Sequence, residues 1–263
     1  MRIDCHCHVS PVWFEPVETL LFQMDRLEVE RAVLVQLLGQ ADNRYQQACL
    51  HRYPGRFASV IGLDPASPDA VAQLRQAAAE GAAGVRLRPD ARSPGEDPLA
   101  IWRAAHVLGL AVNCSGPATG FITPAFAELA AQLPDLTFVL EHLGGLARPD
   151  VGDAQTMLAP VIELARSPNV YLKVPPLGQL AARPAKLPAE APMWPVDAAR
   201  LILAAVDDFG PERLMWGSDF PPVSSREGYA NALDWTLQAL GHLPQASKEM
   251  IFGGTARSVF FRD

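Results

Sequence analysis

Two histidines near the start of the chain have the types and spacing of a metal or substrate site. His6 and His8 are separated by one residue, and side chains alternate between the two faces of a strand. A strand here predicts that Asp4, His6 and His8 share one face, and that Cys5 and Cys7 face the outer helices as small apolar residues. Two imidazoles on one face can bind one metal ion or one polarised substrate. The alternative is a polar edge strand whose histidines do no chemistry.

Two later stretches each place one ionisable residue at the end of an apolar run. His142 precedes Leu-Gly-Gly, and Asp219 lies between Gly-Ser and Phe-Pro-Pro. Beside imidazoles, the Asp219 carboxylate can orient and deprotonate water, or it can be a metal ligand. Simpler interpretations stay open: Asp219 as a turn or helix-cap residue, and His142 as a histidine satisfied by the backbone.

The elements that must position these residues alternate along the chain. Short apolar runs, typical of strands buried on both faces, are followed by longer amphipathic runs. The predicted strands are Ile3–Cys7, Ala32–Leu37, Phe57–Leu63, Gly84–Leu87, Leu110–Cys114, Leu136–Glu141, Val170–Val174 and Arg213–Trp216. The predicted helices are Glu15–Glu28, Asn43–Tyr53, Pro68–Glu80, Asp97–Leu108, Thr123–Leu133, Asp153–Arg166, Val196–Phe209, Ser225–Gly241 and Gln245–Phe260.

Eight strand–helix units predict an α/β fold in which a parallel sheet closes into a (β/α)₈ barrel, the TIM barrel, as a single domain over residues 1–263. An open doubly wound sheet is the alternative, but it usually carries a glycine-rich turn after the first strand, and residues 7–11 contain no glycine. Residues 175–195 hold six prolines and predict a long loop. Such a loop is either a lid or wall over a site or a surface connection.

Reactive residues of such a barrel lie at the carboxyl ends of its strands, around one mouth. Besides the histidines and Asp219, these ends carry four candidate substrate-binding residues: Arg86, Arg88, Asn113 and Lys173. The arginines could hold a carboxylate bidentately or form a salt bridge within the barrel. Lys173 could instead pair with a neighbouring acid. Arg226 and Tyr229 follow the last strand and could lie at the mouth or on the surface.

Composition restricts the class of partner. The formal net charge is −7 and hydrophobic residues make up 49% of the chain, which favours a globular core and argues against nucleic acid or anionic membrane as partner. No apolar run approaches the roughly 18 residues of a membrane helix. The four cysteines match no disulfide framework, and no signal peptide is recognised, so a cytoplasmic protein is predicted. The sequence does not determine the oligomeric state, so a homo-oligomer stays open.

Several stretches together resemble the amidohydrolase superfamily, in its amidohydrolase-related branch of 2-pyrone-4,6-dicarboxylate hydrolase and sugar lactonase-like proteins. Asp4-Cys-His-Cys-His8 resembles the branch's Asp-x-His-x-His, and Gly217-Ser-Asp-Phe-Pro221 its Gly-(Ser/Thr)-Asp-aromatic-Pro. The segments at 84–88, 141–144 and 254–260 are similar to further motifs, with Thr255 where the family has Asn. The resemblance spans nearly the whole chain. It implies the barrel, a hydrolytic role for Asp219, and a cluster formed by His6, His8 and His142.

One departure from the family concerns metal. Its metal-dependent members carry Lys or His at the end of strand five, whereas this chain reads Ala-Val-Asn-Cys-Ser at 111–115. A binuclear site is therefore not expected. His6, His8 and Asp219, with His142, could still form a mononuclear Zn²⁺ site. Metal-independent catalysis, as in some lactonases, is the alternative.

The leading hypothesis is a hydrolase that opens a small carboxylated or sugar-derived lactone, with Asp219 activating water and His142 polarising the ester carbonyl. Arg86, Arg88, Asn113 and Lys173 would bind the substrate. One rival is a metal-dependent decarboxylase of an aromatic or muconate-type acid, which would need a metal and release CO₂. A second rival is a non-catalytic binding protein on a barrel scaffold.

Overall fold

The computed structural model describes residues 1–148, 151–181 and 196–261. Its strands are β1 Ile3–Cys7, β2 Arg31–Val35, β3 Phe57–Ile61, β4 Gly84–Leu87, β5 Ala111–Cys114, β6 Phe138–Leu140, β7 Val170–Val174 and β8 Leu214–Trp216. Its helices are α1 Val17–Arg26, α2 Arg44–Arg52, α3 Ala70–Ala79, α4 Ala100–Val107, α5 Ala118–Phe121, α6 Pro124–Gln132, α7 Glu141–Gly144, α8 Ala154–Ile162, α9 Val196–Phe209, α10 Tyr229–Ala239, α11 Gln245–Glu249 and α12 Thr255–Phe260.

The eight strands form one parallel sheet in chain order, and its ends meet. Cys7 of β1 bridges Phe220, which follows β8. The His8 amide donates to the Phe220 carbonyl at 2.7 Å, and the Asp219 amide donates to the His6 carbonyl at 2.8 Å. The predicted single-domain TIM barrel is therefore confirmed, and the open doubly wound sheet is excluded.

The strands alternate between two apolar layers, as the period of two requires. The inward layer fills the barrel and is closed at one end by α12; it includes Ile3, Val33, Val60, Val139, Met215 and Phe260. The outward layer packs against the helices; it includes Leu34, Val112, Phe138, Leu172 and Trp216. Each such side chain contributes about 1.5–3 kcal/mol by leaving water. Both layers hold the strand ends in place around the mouth.

Element boundaries differ from the predictions where backbone conformation changes. The predicted helix at 245–260 is split by the π-helical turn Met250–Gly254 between α11 and α12. The predicted helix at 225–241 begins at Tyr229, after Gly228 at φ 81°. Of the predicted proline-rich loop, residues 182–195 lie outside the described residues. None of the described helices is long and apolar enough to cross a membrane.

Gly145 should be among the least replaceable residues near the mouth. Its φ is +83°, and a Cβ there would lie 2.4 Å from the Ala118 amide nitrogen. Gly145→Ala should therefore lower the free energy of unfolding by more than about 1 kcal/mol, through both strain and backbone clash. Urea denaturation measures this. Gly81, at φ +93° with no atom within 4 Å, is the matched control. Equal losses of stability in Gly145→Ala and Gly81→Ala would show that the close approach to the Ala118 amide does not affect the free energy of unfolding.

Candidate active site

A register shift in β1 decides which of its side chains face the site. Pairing with β2 is interrupted between Asp4 and Cys7. Cys5 packs in the inward layer and Cys7 in the outward layer, so strict alternation fails between them. His6 and His8 both face the mouth, as predicted. The expectations that Asp4 shares their face and that Cys5 faces the helices are wrong, because the shift changes the parity of the strand.

Asp4 instead ties β1 to the segment after β8. Its buried carboxylate accepts from the Ser218 amide at 2.9 Å, the Ser218 hydroxyl at 2.6 Å and the Tyr229 hydroxyl at 2.8 Å. Burial raises the pKa of Asp4 above its usual value. Tyr229, which the sequence left open between mouth and surface, is buried in this network. Asp4 thus holds in place the loop that carries Asp219.

Asp219 and His142 sit on unusual backbone. Their φ values are 54° and 53°, in the left-handed region that non-glycine residues rarely occupy. Such conformations cost on the order of 1–3 kcal/mol and concentrate at functional sites. Here they turn both side chains from the strand ends into the mouth of the barrel, beside His6 and His8.

The four residues predicted to do chemistry, His6, His8, His142 and Asp219, lie close together at the mouth of the barrel. His6 Nε2 and His8 Nε2 each lie 3.7 Å from Asp219 Oδ1. The His6 ring centroid is 4.9 Å from those of both His8 and His142. All four side chains are buried or nearly so. Burial lowers the pKa of His142, and it lowers that of His6 further, so both rings favour the neutral form.

The second oxygen of Asp219 is held by two residues outside this cluster. Arg226 donates to Oδ2 from both terminal nitrogens, at 3.2 and 3.3 Å, and Gln179 Nε2 donates at 3.1 Å. The same Gln179 nitrogen lies 3.1 Å from His142 Nδ1. Burial alone would raise the pKa of Asp219, but the surrounding donors and positive charge, including the Arg226 guanidinium, outweigh it and hold that pKa below its usual value. The carboxylate is therefore charged and oriented.

Arg86 forms the barrel salt bridge that the sequence left open. Its Nη2 lies 2.6 Å from Glu141 Oε2 and its Nε 3.0 Å from Oε1, while Nη1 donates to the Gln36 carbonyl at 2.8 Å. Burial opposes ionisation of Glu141, but the positive charges of Arg86 and Lys173 dominate and lower its pKa to about 2. Most donors of Arg86 are thus engaged within the protein.

The other predicted substrate-binding residues lie in different surroundings. Lys173 is buried, and its Nζ lies 3.0 Å from His6 Nδ1. Burial lowers its pKa. Asn113 is fully buried opposite Arg86, and neither polar atom of its amide has a partner among the described residues. Arg88 is 59% exposed and contacts Asp90 at 3.4 Å, outside the cluster. Their roles toward substrate stay predictions.

The cluster could bind a metal. Four ligand atoms about 2.1 Å from a tetrahedral ion lie about 3.4 Å apart, close to the 3.7 Å that separates Asp219 Oδ1 from the Nε2 atoms of His6 and His8. His6 Nε2 is buried without a hydrogen-bond partner among the described residues. His6, Glu141 and His142 form a second group with ligand atoms within 4.8 Å of one another.

Sequence reasoning missed three residues that shape the site. Glu141 was seen only within a motif, Gln179 only within the proline-rich stretch, and Glu227 not at all. Glu227 contacts Arg226 at 3.4 Å and accepts from the Gly178 amide at 3.1 Å. Signals existed for two of them: Glu141 belongs to the recognised segment 141–144, and a wall over the site was one interpretation of residues 175–195, which include Gln179.

A closed parallel barrel with an ionisable cluster at its strand ends has the architecture of a TIM-barrel enzyme. Residues 3–262 match the Amidohydrolase family model Amidohydro_2. The chain therefore belongs to this amidohydrolase family, as its motifs predicted.

Individual relatives are distant. The chain is 29% identical to L-fucono-1,5-lactonase of Burkholderia ambifaria, over 97% of this chain and 93% of that protein. It is 26% identical to 4-sulfomuconolactone hydrolase of Hydrogenophaga intermedia, over 78% of this chain and 65% of that protein's length. A solved structure of a candidate 2-pyrone-4,6-dicarboxylic acid hydrolase from Pseudomonas putida superposes with a TM-score of 0.76 at 26% identity, covering 98% of this chain and 97% of that one.

Proposed function

We propose that this protein is a hydrolase that opens a small lactone. The observation that carries the proposal is the placement of Asp219, with Oδ1 beside two imidazole nitrogens and Oδ2 held by Arg226 and Gln179. A general base needs this combination of a free oxygen and a fixed orientation. Two relatives of the chain, L-fucono-1,5-lactonase and 4-sulfomuconolactone hydrolase, are named for reactions on lactones, which supports this reaction class.

In the proposed reaction, Asp219 Oδ1 takes a proton from a water molecule held between it and the two strand-one histidines. The water oxygen attacks the lactone carbonyl, and His142 stabilises the charge that develops on the carbonyl oxygen. The ring C–O bond then breaks. The proton on Asp219 passes to the leaving ring oxygen, so that the product is a hydroxy acid and Asp219 is charged again.

The substrate proposed is carboxylated or sugar-derived. Lys173, Asn113 and the two arginines are the groups proposed to bind its carboxylate or hydroxyls. The unpartnered amide of Asn113 supports such a role, since a buried amide without a partner is costly. The engagement of Arg86 with Glu141 makes it the weaker candidate for direct contact.

A divalent cation such as Zn²⁺, if bound, would be held by His6, His8 and Asp219, with His142 as a further candidate ligand. It would supply a lowered pKa for water and a polarised carbonyl. The chain's own residues would still orient the substrate and accept the proton.

The test is turnover of a lactone panel, with sugar 1,4- and 1,5-lactones and carboxylated muconolactones and pyrones, followed by acid release at constant pH. We expect at least one member to react with kcat/KM above about 10⁴ M⁻¹ s⁻¹. Metal content of the purified protein and activity after chelation separate the metal-dependent from the metal-independent route. CO₂ release from aromatic acids without any lactone opening would favour the decarboxylase, and ligand binding without turnover would favour the binding protein.

A further inference from the structure

The two strand-one histidines differ in what their inner nitrogens contact. His8 Nδ1 lies 2.7 Å from the Val35 carbonyl oxygen. A carbonyl oxygen only accepts, so the hydrogen of a neutral His8 ring is on Nδ1. Its Nε2, which points towards Asp219, therefore carries a lone pair.

His6 has the opposite arrangement. Its Nδ1 lies 3.0 Å from Lys173 Nζ. The Glu141 carboxylate is 3.9 Å from that nitrogen, beyond hydrogen-bonding range, and it accepts from Arg86 instead. The ammonium form of lysine carries three N–H donors and no acceptor, so a charged Lys173 donates and His6 Nδ1 accepts. The hydrogen of a neutral His6 ring is then on Nε2, the atom that is buried without a partner among the described residues.

We propose that Lys173 is a positioning residue that holds His6 in the Nε2–H tautomer. His6 then offers a donor where His8 offers an acceptor, and both atoms lie 3.7 Å from Asp219 Oδ1. A water molecule among the three atoms can accept from His6 and donate to His8 and Asp219, which satisfies all of them. This arrangement aims a lone pair of the water away from the base.

The Nε2–H tautomer of His6 also disfavours the binding of a metal ion. Cation binding needs lone pairs on both Nε2 atoms, and metal-binding histidines nearly always donate their other N–H to a carboxylate, a backbone carbonyl or water. His8 has such a partner in the Val35 carbonyl, whereas the partner of His6 is the Lys173 ammonium, which only donates. Lys173 thus weakens divalent-cation binding and favours water at this site. The consequence for catalysis rests on the proposed function, but the tautomer does not.

The first test observes the tautomers directly. Long-range ¹H–¹⁵N spectra of histidine-labelled protein at about pH 8, well above the ordinary histidine pKa, report which ring nitrogen is protonated. Spectra of His6→Asn and His8→Asn variants assign the signals. We expect hydrogen on Nε2 of His6 and on Nδ1 of His8. Hydrogen on Nδ1 of His6 in the unmodified protein would overturn the proposal, whatever the substrate proves to be.

The second test changes the partner. Lys173→Met removes the donor and should raise Zn²⁺ affinity about tenfold or more, with a population of the Nδ1–H tautomer appearing at His6. Lys173→Arg keeps both a donor and the charge, and should keep the original tautomer and weak affinity. Unchanged Zn²⁺ affinity and tautomer in a folded Lys173→Met protein would refute the role. Neither readout needs lactone turnover, so a wrong substrate assignment and a wrong tautomer are told apart. If Lys173→Met does not fold, the spectrum of the unmodified protein decides alone.

Discussion

Asp219→Asn is expected to lower kcat by about 10²–10⁴-fold, because the amide cannot take a proton from water. The fold should survive the change. Asparagine, like aspartate, tolerates the left-handed backbone at φ 54°. The hydrogen bond from the backbone N–H of residue 219 to the His6 carbonyl does not involve the side chain and should remain. The measurement is steady-state turnover of the best lactone, beside a thermal unfolding curve for each protein.

Asp25→Asn is the matched control. Asp25 also accepts from an arginine, Arg56 at 2.7 Å, but it is 63% exposed on α1. Its neutralisation should leave kcat unchanged. An Asp219→Asn protein that opens the lactone at close to the normal rate would remove Asp219 from the role of base, and would shift attention to His8 Nε2.

Glu141→Gln is expected to lower the free energy of unfolding by about 3–5 kcal/mol, because it leaves the guanidinium of Arg86 buried without a counter-charge. Glu141 is 0% exposed and Arg86 7% exposed in their side chains. Urea denaturation at neutral pH measures the loss. Glu18→Gln is the control, because Glu18 pairs with Arg52 at 2.5 Å with both side chains half exposed or more. Such a surface pair contributes less than about 1 kcal/mol. Equal losses in the two variants would contradict a special role for burial.

The pH dependence of that difference has a definite sign. The pKa of Glu141 is about 2 in the folded protein, below the roughly 4.3 of an unfolded glutamate. A depressed pKa contributes stability that is present above the unfolded value and is lost as pH falls through the folded one. The stability gap between the unmodified protein and Glu141→Gln should therefore shrink from about pH 4 towards pH 2. A gap that widens in acid would mean that Glu141 is protonated in the folded state.

Much of the fold could be predicted because its causes are local. Short apolar runs separated by amphipathic ones imply buried parallel strands with crossover helices, and β1, β4 and β7 were predicted to the residue. The barrel rule then placed His142 and Asp219 at one mouth, since each follows a strand. Boundaries failed where a turn inside a helical pattern changed the backbone, as at Met250–Gly254.

The sequence by itself therefore determined the barrel, the family and the residue types at the mouth. Only the tertiary structure decided which side chains meet, because the partners are far apart in the chain. Arg86 and Glu141 are separated by 55 residues, and His6 and Lys173 by 167. The orientation of Asp4 also needed the structure, since a register shift in pairing with a neighbouring strand reverses the alternation that a single strand predicts. The alternation of side chains along a strand is a property of that segment alone. Which face a given residue takes after a register shift, which salt bridge it forms and which tautomer it adopts all depend on the segments packed against it.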